Sequence, residues 1–203
     1  MDLRNKIIKL LKLFISFSDE GEDKLLLQIL TTRGFRRGTY LDIGAYHPIK
    51  VSNTYLLYLW GWRGTCVDIN NKWKFKLLRP RDKFIYGYVD AEVSYLFPRK
   101  LFTSSIPIAT NRMKRGWSYK VKYNIPRIDA LQFKDYDLLD LDVDGLDFRI
   151  LKRLLSVHRP KWILVEDKCL DEQLEIHHYL INEGYKRIAN TTRNGIYEKE
   201  ENE

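Results

Sequence analysis

The stretch from Thr39 to Asp68 narrows the choice of fold more than any other part of the chain. Thr39-Tyr40-Leu41-Asp42-Ile43 is a short apolar run closed by Gly44. Asn53 to Trp60 then carries helical spacing, and Gly61-Trp62-Arg63-Gly64 turns into a second run, Thr65 to Ile69, with Asp68 near its end. Strand, glycine turn, helix and acid-ended strand in that order form the unit with which an open α/β sheet builds a nucleotide-type pocket. The glycine lets backbone approach a ligand closely, and the acid can accept hydrogen bonds from both hydroxyls of a ribose.

The remaining pattern repeats this alternation. Lys72 to Leu78 predicts a helix stopped before Pro80, because proline disfavours a helical predecessor. Phe84 to Val89 predicts one third strand ending at Asp90, and Tyr119 to Ile125 an edge strand. Tyr136 to Val143 reads as a strand ending in acids, followed by Gly145 and a helix from Asp147 to Leu155 with apolar residues at helical spacing. Trp162 to Val165 forms a buried strand running into Glu166 and Asp167, and Asp171 to Glu183 the next helix. Tyr185 to Ala189 and Ile196 to Glu198 pair as a hairpin turning at Asn194-Gly195. The expectation is a mostly parallel sheet with helices on both faces and a C-terminal antiparallel hairpin, the layout of a Rossmann-like methyltransferase. Asp42, Asp68, Asp90, Asp142 and Glu166 should then converge along the carboxyl edge of the sheet, where ligands bind in such folds.

With 203 residues, 44% of them hydrophobic, the chain suits one globular domain over residues 17–199 and excludes a disordered segment. An acidic tail, 200–203, follows it. Residues 1–16 place Leu3, Ile7, Leu10, Leu11 and Phe14 on one face of a basic amphipathic helix, which either packs on its own domain or makes peripheral contact with an anionic membrane. Asp19-Glu20-Gly21-Glu22-Asp23 supplies an acidic start for a helix over Leu25 to Leu30. The two cysteines, Cys66 and Cys169, are too few for a disulfide framework, so the expected compartment is the cytoplasm and both read as core thiols. A formal charge of +8 favours anionic partners, nucleic acid among them. The basic segment Pro98 to Gly116 has no regular period and is the candidate substrate loop. Oligomeric state is not encoded in any of these patterns.

Several motifs resemble the FkbM family of S-adenosylmethionine-dependent methyltransferases. They are Ser16 to Asp23, Tyr40 to Pro48, Ser52-Asn53-Thr54-Tyr55, Gly61-Trp62-Arg63-Gly64, Arg79-Pro80-Arg81-Asp82 and Leu141 to Asp147, in family order from about Ser16 to Tyr185. Asp144 stands where the family commonly has glutamate. The resemblance implies a class I methyltransferase fold and methylation of a hydroxyl on a sugar, glycan or other small molecule. It implies S-adenosylmethionine as cofactor, with Asp42 and Gly44 lining the turn nearest its methionyl part, Asp68 on its ribose and Asp90 at its adenine amino group. Ser52, Asn53 and Thr54 open a helix whose backbone donors and hydroxyls could hold the donor's carboxylate.

An alcohol is a poor nucleophile until a base or metal takes up its proton's charge. Asp142 and Glu166 lead the carboxylates that adjacent strands deliver to one edge, with Asp144 and Asp167 beside them. They serve either as general base or as ligands of a hard divalent ion such as magnesium, with His47 or solvent completing the shell. His47, on the cofactor turn, is a proton relay or a loop-shaping residue. An RNA ribose 2′-O-methyltransferase is the alternative, with Lys168 near Glu166 and Asp142 in a lysine-and-acid cluster. A catalytically degenerate binding module is the third reading.

Overall fold

The computed structural model describes residues 15–70, 72–90, 126–143, 146–166 and 170–201. Residues 1–14 of the N-terminal helix, the basic segment 98–116, the strand read at 119–125, Asp144, Asp167, Lys168 and Cys169 lie outside the described residues. Helix α1 (Glu22–Thr32) precedes β1 (Thr39–Ile43), α2 (Tyr55–Trp60), β2 (Arg63–Asp68), α3 (Lys72–Leu78) and β3 (Lys83–Tyr86). Two short strands follow, β4 (Tyr88–Asp90) and β5 (Arg127–Asp129), then β6 (Leu138–Leu141), α4 (Asp147–Leu155), β7 (Trp162–Glu166), α5 (Leu170–Asn182), β8 (Tyr185–Asn190) and β9 (Asn194–Lys199).

The main sheet has the order β3-β2-β1-β6-β7-β9-β8. Its first five strands pair in parallel, and β9 enters antiparallel to both β7 and β8. The mostly parallel α/β sheet with a terminal hairpin is therefore the observed fold. The order places β1 centrally and turns from β1 to β6 across a change of direction, which opens a crevice at the carboxyl ends of those strands.

Side-chain alternation assigns each strand residue to one of two cores. Leu41 and Ile43 of β1, Val67 of β2, Leu139 and Leu141 of β6, and Ile163 and Val165 of β7 pack with α4 and α5 through Ile150, Leu151, Leu154, Ile176 and Leu180. Tyr40, Cys66, Leu138, Trp162 and Leu164 face the other way, against Leu26, Leu27 and Leu30 of α1, Leu56 and Leu57 of α2 and Phe75 of α3. Strands buried on both faces need apolar residues at almost every position, as the sequence has them. Asp42 and Asp140 are the interruptions, and both lie on the α1–α3 side by the same period of two.

Two elements differ from the sequence reading. The run Phe84 to Asp90 is not one strand: it breaks at Gly87, where the chain leaves β3 and β4 pairs in parallel with β5. A β-carbon at Gly87 would come within 2.6 Å of the Pro126 carbonyl oxygen and 2.5 Å of Ile128, so only glycine lets the β5 segment approach this closely. Asp90 accordingly closes β4 in the small second sheet, not a strand of the main one. The hairpin also turns earlier than read, at residues 191–193, where the Thr191 N–H donates to the Asn194 carbonyl at 2.8 Å. Asn194 and Gly195 open β9 itself, opposite Glu166 and Val165.

Candidate active site

At the end of β1 the backbone N–H groups of Gly44 and Ala45 both donate to the Val67 carbonyl. Gly44 has φ +89°, and a β-carbon there would lie 1.8 Å from the carbonyl oxygen of Asp142. The turn after β1 and the end of β6 are thus in backbone contact, an approach that only glycine allows. A Gly44→Ala substitution is expected to destabilise the fold by at least about 1–3 kcal/mol from the left-handed backbone alone. Urea denaturation would measure the loss.

Asp68, at the end of β2, accepts from the Tyr46 N–H at 2.8 Å and the Asn70 N–H at 2.6 Å. Desolvation raises its carboxyl above the usual range, against the opposing effect of those backbone donors. The Asn70 side chain and the Ile69 N–H donate to it as well, so the carboxylate is held in a fixed orientation at the end of β2. His47 lies on the same turn, where its Nδ1 faces the N–H groups of Ile49 at 3.2 Å and Lys50 at 3.1 Å. Accepting from both requires neutral imidazole with the proton on Nε2. Desolvation, Lys74 and Lys50 all lower its proton affinity, which favours that state. These contacts fix the ring on the turn through Nδ1.

Beneath this turn is a buried polar network. Asp42 and Asp140 are register partners on β1 and β6, each 4% exposed. Thr54 donates its hydroxyl to Asp42, and the Asn53 amide donates to Asp140 at 3.1 Å. Arg79, 1% exposed, lies 3.9 Å from Asp42 and donates from Nε to Asp82 at 2.7 Å. Its other nitrogens reach the Tyr40 hydroxyl at 2.5 Å and the Thr54 hydroxyl at 3.0 Å. Its guanidinium also sits over the rings of Tyr40, Tyr58 and Phe75. Burial lifts Asp42 to about 6, although Arg79 and Thr54 pull the other way. Asp140, with Asp42 alongside, is raised well above the carboxylate range by burial. Ser52 is buried as well and accepts from the Tyr55 N–H at the start of α2.

The open side of the crevice lies across β1 from Asp68. Asp142 follows β6, anchored by its N–H to the Ile43 carbonyl at 3.0 Å, and Glu166 ends the neighbouring β7. Asp142 keeps solvent-accessible surface, yet it sits deep in a concave mouth that displaces much of its hydration. That desolvation comes first, and contact with the Glu166 carboxyl adds to it, raising Asp142 well above its usual range. Two carboxyl groups this close share one proton. Together with Asp19, Glu22, Val51, Asn53, Arg193 and Asn194 they line a small cleft that is open to solvent.

The acids before α1 have a larger part than helix-dipole complement. Asp23 accepts from the Ser16 hydroxyl and the Phe17 N–H at 2.7 Å and from the Ser18 hydroxyl at 2.9 Å, folding residues 16–23 into a knot. Glu22 accepts from the Asn194 amide at 2.8 Å and the Thr191 hydroxyl at 3.0 Å, which ties that knot to the β8–β9 hairpin. Burial alone would raise Glu22, but the N–H groups of Glu22 and Glu20, the Asn194 amide and Ser18 outweigh it and hold it below its ordinary value.

The structure therefore brings Gly44, Asn53, Asp142 and Glu166 around one crevice, with Asp68 and His47 on the β1–β2 side of it. Asp42, Ser52 and Thr54 face the buried network. Asp90 belongs to β4, and Lys168 lies outside the described residues. Sequence reasoning passed over Glu22, Arg193 and Asn194 as site residues. Among the described residues, no group of three or more His, Cys, Asp or Glu side chains is arranged to hold a metal ion. Among the same residues, no helix is long and apolar enough to cross a membrane.

A comparison with curated protein sequences found no match. Among solved structures, a protein from Staphylococcus aureus provisionally named a caffeoyl-CoA O-methyltransferase aligns with a TM-score of 0.51 at 8% identity, covering 98% of this chain and 93% of that one. The 1,6-didemethyltoxoflavin-N1-methyltransferase of Burkholderia thailandensis, solved with S-adenosylhomocysteine, aligns with a TM-score of 0.50 at 14% identity over 90% of this chain and 80% of that one. A protein of Pyrococcus horikoshii provisionally named an RNA methyltransferase gives 0.50 at 10% identity over 87% and 83%. At these identities the likeness is one of fold, that of class I methyltransferases, and it matches the strand order found here. The family model described as the methyltransferase FkbM domain matches residues 42–187, from the acid of β1 into β8, and the chain belongs to that family.

Proposed function

We propose that this methyltransferase uses S-adenosylmethionine to methylate a hydroxyl group of a sugar, glycan or related small molecule. The observation that carries the reading is the Asp142–Glu166 carboxyl pair, held at the ends of adjacent strands in backbone contact with the Gly44 turn. The residues on the β1–β2 side fit the donor. Asp68 is a carboxylate fixed by backbone donors at the end of β2, the acceptor type that a ribose diol requires, and Gly44 lets the β1 turn close onto the end of β6. When bound, S-adenosylmethionine supplies an electrophilic methyl group.

The protein's own contribution is placement and proton removal. Fixing the acceptor hydroxyl in line with the methyl group supplies several kcal/mol of the barrier, of the order available from orientation. The hydroxyl oxygen would bond to the methyl carbon as the carbon–sulfur bond breaks and its electron pair stays on sulfur, and the ionised member of the Asp142–Glu166 pair would take the hydroxyl proton. The pair later loses that proton to solvent. Desolvation and the neighbouring Glu166 carboxyl raise the proton affinity of Asp142, which suits a general base. The acids that line the cleft repel phosphates, so the geometry favours a small hydroxyl acceptor over the RNA ribose reading.

Calorimetry with S-adenosylhomocysteine tests the donor assignment. A folded wild-type chain that shows no binding would sink it. Asp68→Asn is expected to weaken that binding by roughly 10- to 100-fold, the loss of hydrogen bonds to a charged acceptor. Transfer of labelled methyl groups to cell-extract fractions, separated into glycan, lipid-linked, RNA and protein pools, tests the acceptor class.

A further inference from the structure

The cleft bounded by β6, β7, β9 and the segment before α1 is distinct from the Asp68 side of the crevice. Asp68 ends β2, and three strand steps, β2 to β1 to β6 to β7, separate it from Glu166. Adjacent strands lie roughly 4.8 Å apart, so the two acids are on the order of 14 Å from each other across the sheet. A ligand held by Asp68 and the Gly44 turn leaves the far end of the cleft for a second molecule.

The chemistry of that far end is one-sided. Among the described residues, Asp19, Glu22, Asp142 and Glu166 contribute carboxyl groups to the lining, and Arg193 is its single cation. Arg193 is committed to the outer rim, with Nη1 donating to Asp19 at 2.5 Å and Nε 3.4 Å from Glu20. Even with one proton shared between Asp142 and Glu166, the described residues of the cleft are net negative, although the chain as a whole carries +8.

Asn194 gives an independent indication. It is 7% exposed, it lines the cleft, and its amide nitrogen is occupied by Glu22. Its Oδ1 has no hydrogen-bond partner among the described residues. A buried acceptor left without a donor costs about 1–3 kcal/mol, a cost that a ligand's N–H or O–H would remove. A neutral hydroxyl would satisfy the acceptor but not the charge. A protonated amine does both, because an ammonium brings three donors and a positive charge. A phosphate or carboxylate offers neither.

We infer that this cleft is the acceptor subsite and that it takes a polyhydroxylated acceptor carrying a protonated amino group, an amino sugar or amino polyol, with Asn194, Glu22 and Asp19 holding the amine side. The inference rests on the methyltransferase reading above and narrows its substrate class. The ammonium of the donor's own amino-acid end has the same chemistry, so the test separates the two.

Binding of three probes to the full chain is measured by saturation-transfer NMR: methyl glucosaminide, methyl glucoside and glucose 6-phosphate. Each is titrated into protein saturated with S-adenosylhomocysteine, and again into protein saturated with 5′-methylthioadenosine, which lacks the amino-acid end. The glucosaminide is expected to bind at least about tenfold more tightly than the glucoside in both complexes, and the phosphate not at all. Asp19→Asn, a change at a half-exposed residue, is expected to reduce the amine preference severalfold with S-adenosylhomocysteine affinity unchanged. Asn194→Ala should do the same, and should it fail to fold the probe series on the wild type still decides. Equal binding of the three probes, or tighter binding of the phosphate, overturns the proposal. So does amine binding seen only with 5′-methylthioadenosine, which would give the cleft to the donor. Failure of S-adenosylhomocysteine to bind at all refutes the methyltransferase reading instead.

Discussion

Replacing Arg79 by methionine is expected to destabilise the protein by about 3–5 kcal/mol, the cost of leaving a buried carboxylate without its cation. The guanidinium is 1% exposed and stands between Asp42 and Asp82, with Tyr40 and Thr54 as further acceptors. Methionine matches much of its volume and keeps the aromatic packing against Tyr40, Tyr58 and Phe75, so the loss reports charge and hydrogen bonding, not a cavity. Lysine should rescue little, because one ammonium cannot reach Asp82, Tyr40 and Thr54 in the fork that arginine spans.

The same variant should change the pH dependence of stability. Asp42 holds its proton in the folded chain up to about 6, against an ordinary value of 3.8. A group whose proton affinity is higher when folded stabilises most below its unfolded value, and that contribution is lost as pH rises toward its folded one. In the wild type this loss falls between those two values. Without Arg79 the folded carboxyl retains its proton to still higher pH, so the deficit of Arg79→Met should be larger at about pH 7.5 than at about pH 5. Urea unfolding at both pH values checks it, and a deficit independent of pH would place the stabilisation elsewhere than in the Asp42 pair.

How far the sequence discloses such features depends on whether their cause is local. The strands β1, β6 and β7 and the helix α4 were legible because apolar spacing of two or near 3.6 is written in consecutive residues. Gly44 was legible as a turn for the same reason. The break at Gly87 had a signal, a lone glycine inside a strand pattern, but its cause is the approach of Pro126 and Ile128, far along the chain.

The polar contacts were the least legible. Arg79 and Asp82 were named only as parts of a motif that resembles the family's, and nothing near Asp42 announces a guanidinium 37 residues later. Glu22 meets Asn194 across 172 residues, a pairing that only the assembled sheet creates. A run of acids before a helix is sufficiently explained by the helix dipole, and that explanation concealed the contact. Conversely, Asp142 and Glu166 could be named in advance because each ends a recognisable strand. That the two strands are neighbours follows from the α/β connection between them.

Changing that pair should have the largest effect on activity. Asp142→Asn and Glu166→Gln are each expected to lower methyl transfer by about 10²- to 10⁴-fold, the range of a general base, with S-adenosylhomocysteine binding kept within a few-fold. Both substitutions preserve shape and remove the ability to take a proton. The pH profile discriminates a base from a merely structural acid. In the wild type the pair begins protonated, so the rate should rise with pH as it ionises, with a midpoint above the ordinary carboxylate range because burial and the second carboxyl hold the proton on. In Asp142→Asn the group with the raised proton affinity is gone, so that rise in rate with pH should be lost. The measurement is labelled methyl transfer into the responsive extract pool from about pH 5 to pH 9. A residual rate with the wild-type midpoint in both variants would mean that the proton leaves by another route, and the carboxyl pair would then be a binding feature of the cleft.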